Sequence, residues 1–409
     1  MKLTKTVVDA LALPAKGQAF VWDGELKGFG VRLTPGGKAY IVQARVKNKT
    51  RRQSLGKHGV ITAEQARKKA IAALADMNDG IDPSKEKERN RALSVTLREA
   101  AESYIKDRDL KPLSISDIRR HLDSNLAPWA DKPIAEITRD KVRSAFTKKA
   151  EHSPAQANQA FRILRALYNY ARATYRLDDQ PILSENPVNV LSDAKLWANV
   201  QAKSRRVAPV RVGEFWNRLN EIRSASSSAE STRTGCDFIA FLVLTGCRKN
   251  EAASLTWDRV NLDEAWWHIP DPKNRNPVTL PLSPFAVEIL RRRPRDSEYV
   301  FPCRTGPGHL NNARKILLKL APVSEGLVSP HDLRRTFRAV AGECGIELWR
   351  TKLLLNHKVN DVTLSHYTET SDLRYLAPEA EKIAQWIIRQ AMIAASPKVV
   401  DLAGRRAAR

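Results

Sequence analysis

The spacing of apolar residues changes partway along the chain, and that change excludes a single repeating architecture. Phe29, Val31 and Leu33, and then Tyr40, Val42, Ala44 and Val46 against Ile41, Gln43, Arg45 and Lys47, alternate with period two. This predicts two half-buried strands joined by a turn at Pro35-Gly36-Gly37. Past residue 60 the period becomes helical. Thr62-Ala63-Glu64-Gln65 has the form of a capping box, and Ala66, Ala70, Ala73, Leu74 and Met77 then form one stripe that stops near Gly80. A small sheet with a helix over its apolar side follows, its outer face carrying Arg45 and Lys47. From Lys2 to Arg89 there are 18 Lys and Arg against 9 Asp and Glu, so this unit is basic and suited to a DNA groove.

The next polar stretch, Asp82 to Arg91, lacks core residues and is expected to be a linker. Residues 94–195 are expected to be helices broken at Pro112, Pro128, Pro133, Pro154 and Pro187. In the clearest of them, Phe161, Leu164, Leu167, Tyr168 and Ala171 share one side, while Asn158, Arg162, Arg165, Asn169 and Arg172 form a polar stripe. Such a stripe fits a DNA groove, although any exposed helix carries charges. A basic connector with Lys203, Arg205 and Arg206 then leads into a larger mixed region.

Composition narrows the partner. The 409 residues carry a formal net charge of +24, which points to a polyanion. No window approaches the ~18 apolar residues of a membrane helix, and the first residues lack a secretory h-region. Cys236, Cys247, Cys303 and Cys344 stand apart, without zinc-ligand spacing and as expected of reduced thiols. No phosphate loop of the G-x-x-x-x-G-K-[ST] type occurs, so ATP-driven motors are excluded. Cutting a phosphodiester without metal or nucleotide needs a nucleophile, cations for the transition-state charge and a proton donor for the leaving oxygen.

Residues suited to those roles occur in order. Thr245-Gly246-Cys247-Arg248 precedes Glu251 on an expected helix, where Glu251, three positions beyond Arg248, is a carboxylate that could orient it. Lys273 lies in the turn of an expected hairpin between Trp266-Trp267-His268-Ile269 and Val278-Thr279-Leu280. His331 and Arg334 are three apart after Pro330; roughly one such His-basic pair is expected by chance. His357 ends Leu353-Leu354-Leu355-Asn356-His357, and Tyr367 follows ten residues later. Taken singly, each has an ordinary structural explanation.

The ordered set T-G-x-R-x-x-E, hairpin Lys, H-x-L-R-R-T-F, L-x-H and Tyr resembles the tyrosine recombinases, and among them the phage and genomic-island integrases. That resemblance implies an α+β multidomain fold. An arm-type DNA-binding domain would span 1–80, a linker 81–93 and a helical core-binding domain 94–195. A second linker would span 196–207, a mainly helical catalytic domain with a small sheet or hairpin 208–379, and a tail 380–409. It implies that Arg248 and Arg334 grip the phosphate with His331 beside them, and that Lys273 protonates the leaving 5′ oxygen, Arg275 being the nearby alternative. His357 would contact the phosphate, Glu251 would support Arg248, and Tyr367 would be the nucleophile. Asn356 stands where many relatives have Gly, and Lys249-Asn250 replace small or apolar residues. No cofactor or metal is implied. The implied partners are double-stranded attachment-site DNA, a homotetramer on that DNA, and as accessories a DNA-bending host protein and a directionality factor, all in a bacterial cytoplasm at the nucleoid. The amphipathic stretch Glu381 to Ile388 would dock on a neighbouring subunit or on its own domain. Two other functions remain open at this level: a type IB-like topoisomerase, and a non-catalytic sequence-specific DNA-binding protein.

Overall fold

The computed structural model describes residues 1–225, 227–272, 274–357 and 371–396. Lys273 and Tyr367 fall outside the described residues. The chain is a mixed α+β protein, 54% helical, and separates into two compact units, Met1–Gln201 and Ala202–Arg409.

The first unit opens with four antiparallel strands in the order Ala19–Trp22, Phe29–Thr34, Gly37–Val46 and Lys49–Lys57. Phe29, Val31, Leu33, Tyr40, Val42 and Val46 are buried against Ala63, Ala66, Ala70 and Met77 of the Ala63–Asn78 helix. Thr62 and Gln65 close the capping box at its start. Two positions depart from the alternating pattern. Lys47 is not on a strand: Lys47 and Asn48 have φ of 45° and 64°, the two-residue turn that matches strand twist. Ile41 is 1% exposed although it lies on the outer side. The register shifts between Tyr40 and Ile41, and the Trp22 ring covers Gly30, the residue paired with Ile41.

The polar stretch expected to be a linker is a helix, Pro83–Leu93. Asp82 caps it, with Oδ1 accepting from the Ser84 N–H (3.0 Å) and Oδ2 from Arg51 Nε (2.6 Å), and Pro83 takes the first helical position. Polar composition argued for a tether, but a good cap and helix-forming Lys, Glu and Arg decide the local structure. Proline likewise opens the helices Pro112–Asp123 and Pro154–Thr174. With Leu97–Asp107 and Arg139–His152 they enclose a core that includes Leu122, Val142, Phe146, Phe161 and Leu164.

In the second unit the Glu230–Thr245 helix is central, with every residue from Thr234 to Leu244 buried. Its one buried carboxylate, Asp237, accepts from Arg223, Arg292 and Arg293, because an unpaired charge at that depth would be strongly destabilising. The strands Val260–Asn261, Trp266–Ile269 and Val278–Pro281 form a three-stranded antiparallel sheet. The chain that re-enters at Ser371 pairs with its edge: Thr279 donates to the Ser371 carbonyl and Leu373 to the Thr279 carbonyl, both at 2.8 Å.

The helix Ala377–Ala395 packs on its own unit, the second of the two placements expected for this stretch. It buries Ile383, Ala384 and Ile387 in the core of its own unit. At Gly213 of the Val212–Ser224 helix a Cβ would lie 2.2 Å from the Gln390 carbonyl oxygen, and Asn217 donates to the Ala391 carbonyl at 2.8 Å.

Candidate active site

The pocket is built around the end of a seven-residue helix, Leu348–Leu354. Asn356 takes a left-handed conformation (φ 45°). The Asn356 N–H donates to the Leu353 carbonyl (2.7 Å) and the His357 N–H to the Lys352 carbonyl (2.9 Å), the pairing of a Schellman motif. This closure fixes His357 and leaves the next two carbonyls, Leu355 and Asn356, facing outward from the helix end, where the helix dipole favours cations.

Both arginines use them. Arg334, 5% exposed, donates Nη2 to the Leu355 carbonyl and Nη1 to the Gly246 carbonyl at 2.9 Å. Arg248 reaches the Asn356 carbonyl with Nη2 at 3.4 Å. Gly246 makes this possible: it ends the Glu230–Thr245 helix at φ 63°, and a Cβ there would lie 2.6 Å from the Phe337 ring and 2.8 Å from Leu355. Arg248 is not inside a helix, as its spacing to Glu251 had implied. It precedes the Lys249–Ala253 helix in extended backbone. Glu251 reaches back with both oxygens, Oε2 accepting the Arg248 N–H (2.9 Å) and Oε1 its Nη1 (2.7 Å).

His331 sits in the first turn of Pro330–Glu343, capped by Ser329 and Asp332, one turn before Arg334. Burial and then the neighbouring guanidiniums of Arg335 and Arg334 hold the His331 pKa below its ordinary value. For His357, lost hydration and then Arg334, Arg248, Arg338 and Lys352 bring it down to about 4. Both imidazoles are therefore neutral near pH 7. Burial, then Arg248, also pulls Arg334 down to about 10, which leaves it charged. Glu251 pairs with Arg248, while Arg334 is held by the Gly246 and Leu355 carbonyls, so this pair of guanidiniums carries surplus positive charge.

The hairpin turn touches this cluster. Asn274 Nδ2 donates to Asn356 Oδ1 at 2.8 Å and approaches the Asn356 carbonyl at 3.3 Å. Arg275, the alternative to Lys273, is exposed with φ 60°. Among the described residues no group of three or more His, Cys, Asp or Glu side chains is placed to hold a metal ion, and no helix is long and apolar enough to cross a membrane.

In the first unit Arg162, Arg165 and Arg172 are exposed on the Pro154–Thr174 helix. Asn158 does not join them. It is 6% exposed, donating to the Ala198 carbonyl (2.9 Å) and accepting the Ala198 N–H (3.2 Å), so it fastens the chain after the helix instead of facing outward. Arg45 is exposed on the sheet's outer face and Lys47 in the adjoining turn. The sequence pattern did not single out Trp197, whose ring lies 5.8 Å from the Arg162 guanidinium and which lines a groove with Arg162, Arg165 and Asn169. Nor did it single out Arg52, stacked 3.8 Å over Phe20. Both depend on residues distant in the chain, and the sequence signal for Arg52 was only its place in a basic strand.

Comparisons with known proteins give the following likenesses. Residues 216–374 match the Phage integrase family and residues 3–90 an Arm DNA-binding domain. Prophage integrase IntF of Escherichia coli K12 is 24% identical over 92% of this chain and 88% of its own length. Prophage integrase IntZ of the same strain is 26% identical over 84% and 85%. Among solved structures, a lambda integrase tetramer bound to a Holliday junction superposes with a TM-score of 0.50, at 18% identity, over 83% of this chain and 98% of that one.

Proposed function

The chain belongs to the phage integrase family of tyrosine site-specific recombinases, and on that footing we propose that it cuts and rejoins DNA with Tyr367 as nucleophile and Arg248, Arg334, His331, His357 and Lys273 around the scissile phosphate. The phenolic oxygen attacks phosphorus, the bond to the 5′ oxygen breaks, and a 3′-phosphotyrosine forms. The phenol's proton passes to neutral His331, and the Lys273 ammonium protonates the departing 5′ oxygen. Rejoining reverses both transfers, so the bond energy stays in the covalent link and no nucleotide is consumed. Arg248 and Arg334 bind the non-bridging oxygens as planar forks that remain ionised, and His357 donates its one N–H to the same group.

The observation that carries this reading is the seating of both guanidiniums on successive carbonyls, Leu355 and Asn356, directly before His357. An unperturbed tyrosine is only ~0.1% ionised at pH 7, which costs about 4 kcal/mol, and a cationic pocket with a neutral imidazole offsets much of that.

Arg45 and Lys47, with Arg52 beside them, form the DNA face of the amino-terminal domain, and Arg162, Arg165 and Arg172 that of the helical domain. The substrate is an attachment site exchanged by four copies of the chain. A bending host protein and a directionality factor complete the reaction at the bacterial nucleoid. The domains in this scheme are an arm domain to residue 80, a core-binding domain from 94 to 195 and a catalytic domain from 208 to 379. The test is a nicked suicide substrate. Wild type traps a covalent adduct, whereas Tyr367→Phe binds with equal affinity and traps none; an adduct from Tyr367→Phe would overturn the assignment.

A further inference from the structure

Asn356 does two separable jobs. Its backbone supplies the left-handed residue of the helix cap and the carbonyl that Arg248 reaches. Glycine would meet both needs with less backbone strain. Its side chain does something glycine cannot: Oδ1, in a residue only 8% exposed, accepts from Asn274 Nδ2 at 2.8 Å. The other end of the Asn274 amide braces its own turn, Oδ1 accepting the Asn276 N–H at 3.3 Å, while the Arg275 N–H closes on the Pro272 carbonyl at 2.9 Å. One amide therefore ties the turn that carries Lys273 to the residue that seats Arg248 and precedes His357.

We propose that Asn274 and Asn356 form a latch that positions the hairpin turn over the phosphate site, so that Asn274 is a positioning residue for protonation of the leaving 5′ oxygen. This rests on the assignment of Lys273 as the proton donor. Without the latch the turn keeps its strands but loses its tie to the arginine cluster. Cleavage then slows at the step that needs the lysine, with phosphate binding unchanged.

The chemistry supplies a readout that a merely structural role would not move. A substrate whose bridging 5′ oxygen is replaced by sulfur has a thiolate leaving group, with pKa near that of cysteine, about 8.5, and it departs without a proton donor. Single-turnover cleavage of oxygen and sulfur substrates is compared for wild type, Lys273→Ala, Asn274→Ala, Asn356→Gly, the Asn274→Ala/Asn356→Gly double variant and Arg248→Ala. The latch requires Asn274→Ala and Asn356→Gly to be slowed about 10- to 100-fold on oxygen and restored to within about threefold of wild type on sulfur. The double variant should be no slower than either single, since coupled partners are not additive. Arg248→Ala should stay slow on both substrates. If Lys273→Ala is restored by sulfur but Asn274→Ala is not, the latch is wrong and the lysine assignment stands. If Lys273→Ala is not restored, both fall. Wild-type rates for Asn356→Gly on oxygen would also overturn the latch.

Discussion

Arginine sits in two different settings in this protein, and under the function proposed above the contrast separates holding DNA from cutting it. On the Pro154–Thr174 helix Arg162, Arg165 and Arg172 point outward from a packed apolar face. In the function proposed above they neutralise phosphates over a broad area, where the geometry of any one matters little. In the second unit Arg334 is 5% exposed and held by two carbonyls, and Arg248 is clamped by Glu251 on one side and Asn356 on the other. Those two groups are held in place before the substrate arrives, which is the condition for stabilising charge that develops only in the transition state.

The sharpest way to break that contrast is Arg334→Lys. It keeps the charge but loses the fork that spans Gly246 and Leu355, and single-turnover cleavage should fall on the order of 10²- to 10³-fold with DNA affinity nearly unchanged. Arg162→Lys should leave both intact; equal losses from the two substitutions would abolish the distinction. Next in size is Gly246→Ala, which forces a side chain into Phe337 and Leu355 at a left-handed position. It should destabilise the second unit by about 2–4 kcal/mol, read as a lowered denaturation midpoint with an unchanged m-value. Removing charge from the helix gives a smaller and different signature. Arg162→Ala and Arg165→Ala should each reduce the salt dependence of binding by about one in log–log slope, while the cleavage rate at saturating DNA holds.

Two pH effects sharpen the comparison further. His357 is neutral in the free protein because desolvation and its cationic neighbours hold it near 4. A bound phosphate dianion or DNA phosphate should raise that value, visible as a shift of the imidazole titration by NMR; an unchanged titration would place His357 away from the phosphate. In the first unit, burial pushes the Asp23 carboxyl up, but hydrogen bonds from Arg67 and from the N–H groups of Leu3, Leu26 and Glu25 outweigh it and hold the pKa at about 2. Its folded value lies below the unfolded one. Its stabilisation is therefore complete above the ordinary carboxylate range and is lost as pH falls toward 2. Asp23→Asn should be less stable than wild type at pH 6, with the gap closing on acidification.

Much of this was readable in the sequence, for reasons that particular residues make plain. Alternation in Tyr40 to Val46 and the Thr62–Gln65 cap are local signals, and the strand and helix lie where those signals put them. The Pro83–Leu93 helix was missed because polarity outweighed the cap at Asp82. Asn158 was misplaced because a helical stripe says which residues share a face, not what the returning chain lays over it; here Ala198 covers one end of the stripe. The pair Arg248–Glu251 was found by spacing, although Arg248 caps the helix instead of lying within it. The seats at Gly246, Leu355 and Asn356 carry no sequence signal, because the groups involved are backbone carbonyls that every residue has.

Those seats have a mechanical consequence. The two guanidiniums rest on the carbonyls of two successive residues, Leu355 and Asn356, at the end of a helix barely two turns long. Any displacement of that short segment moves both seats together, so the placement of one guanidinium is tied to the placement of the other.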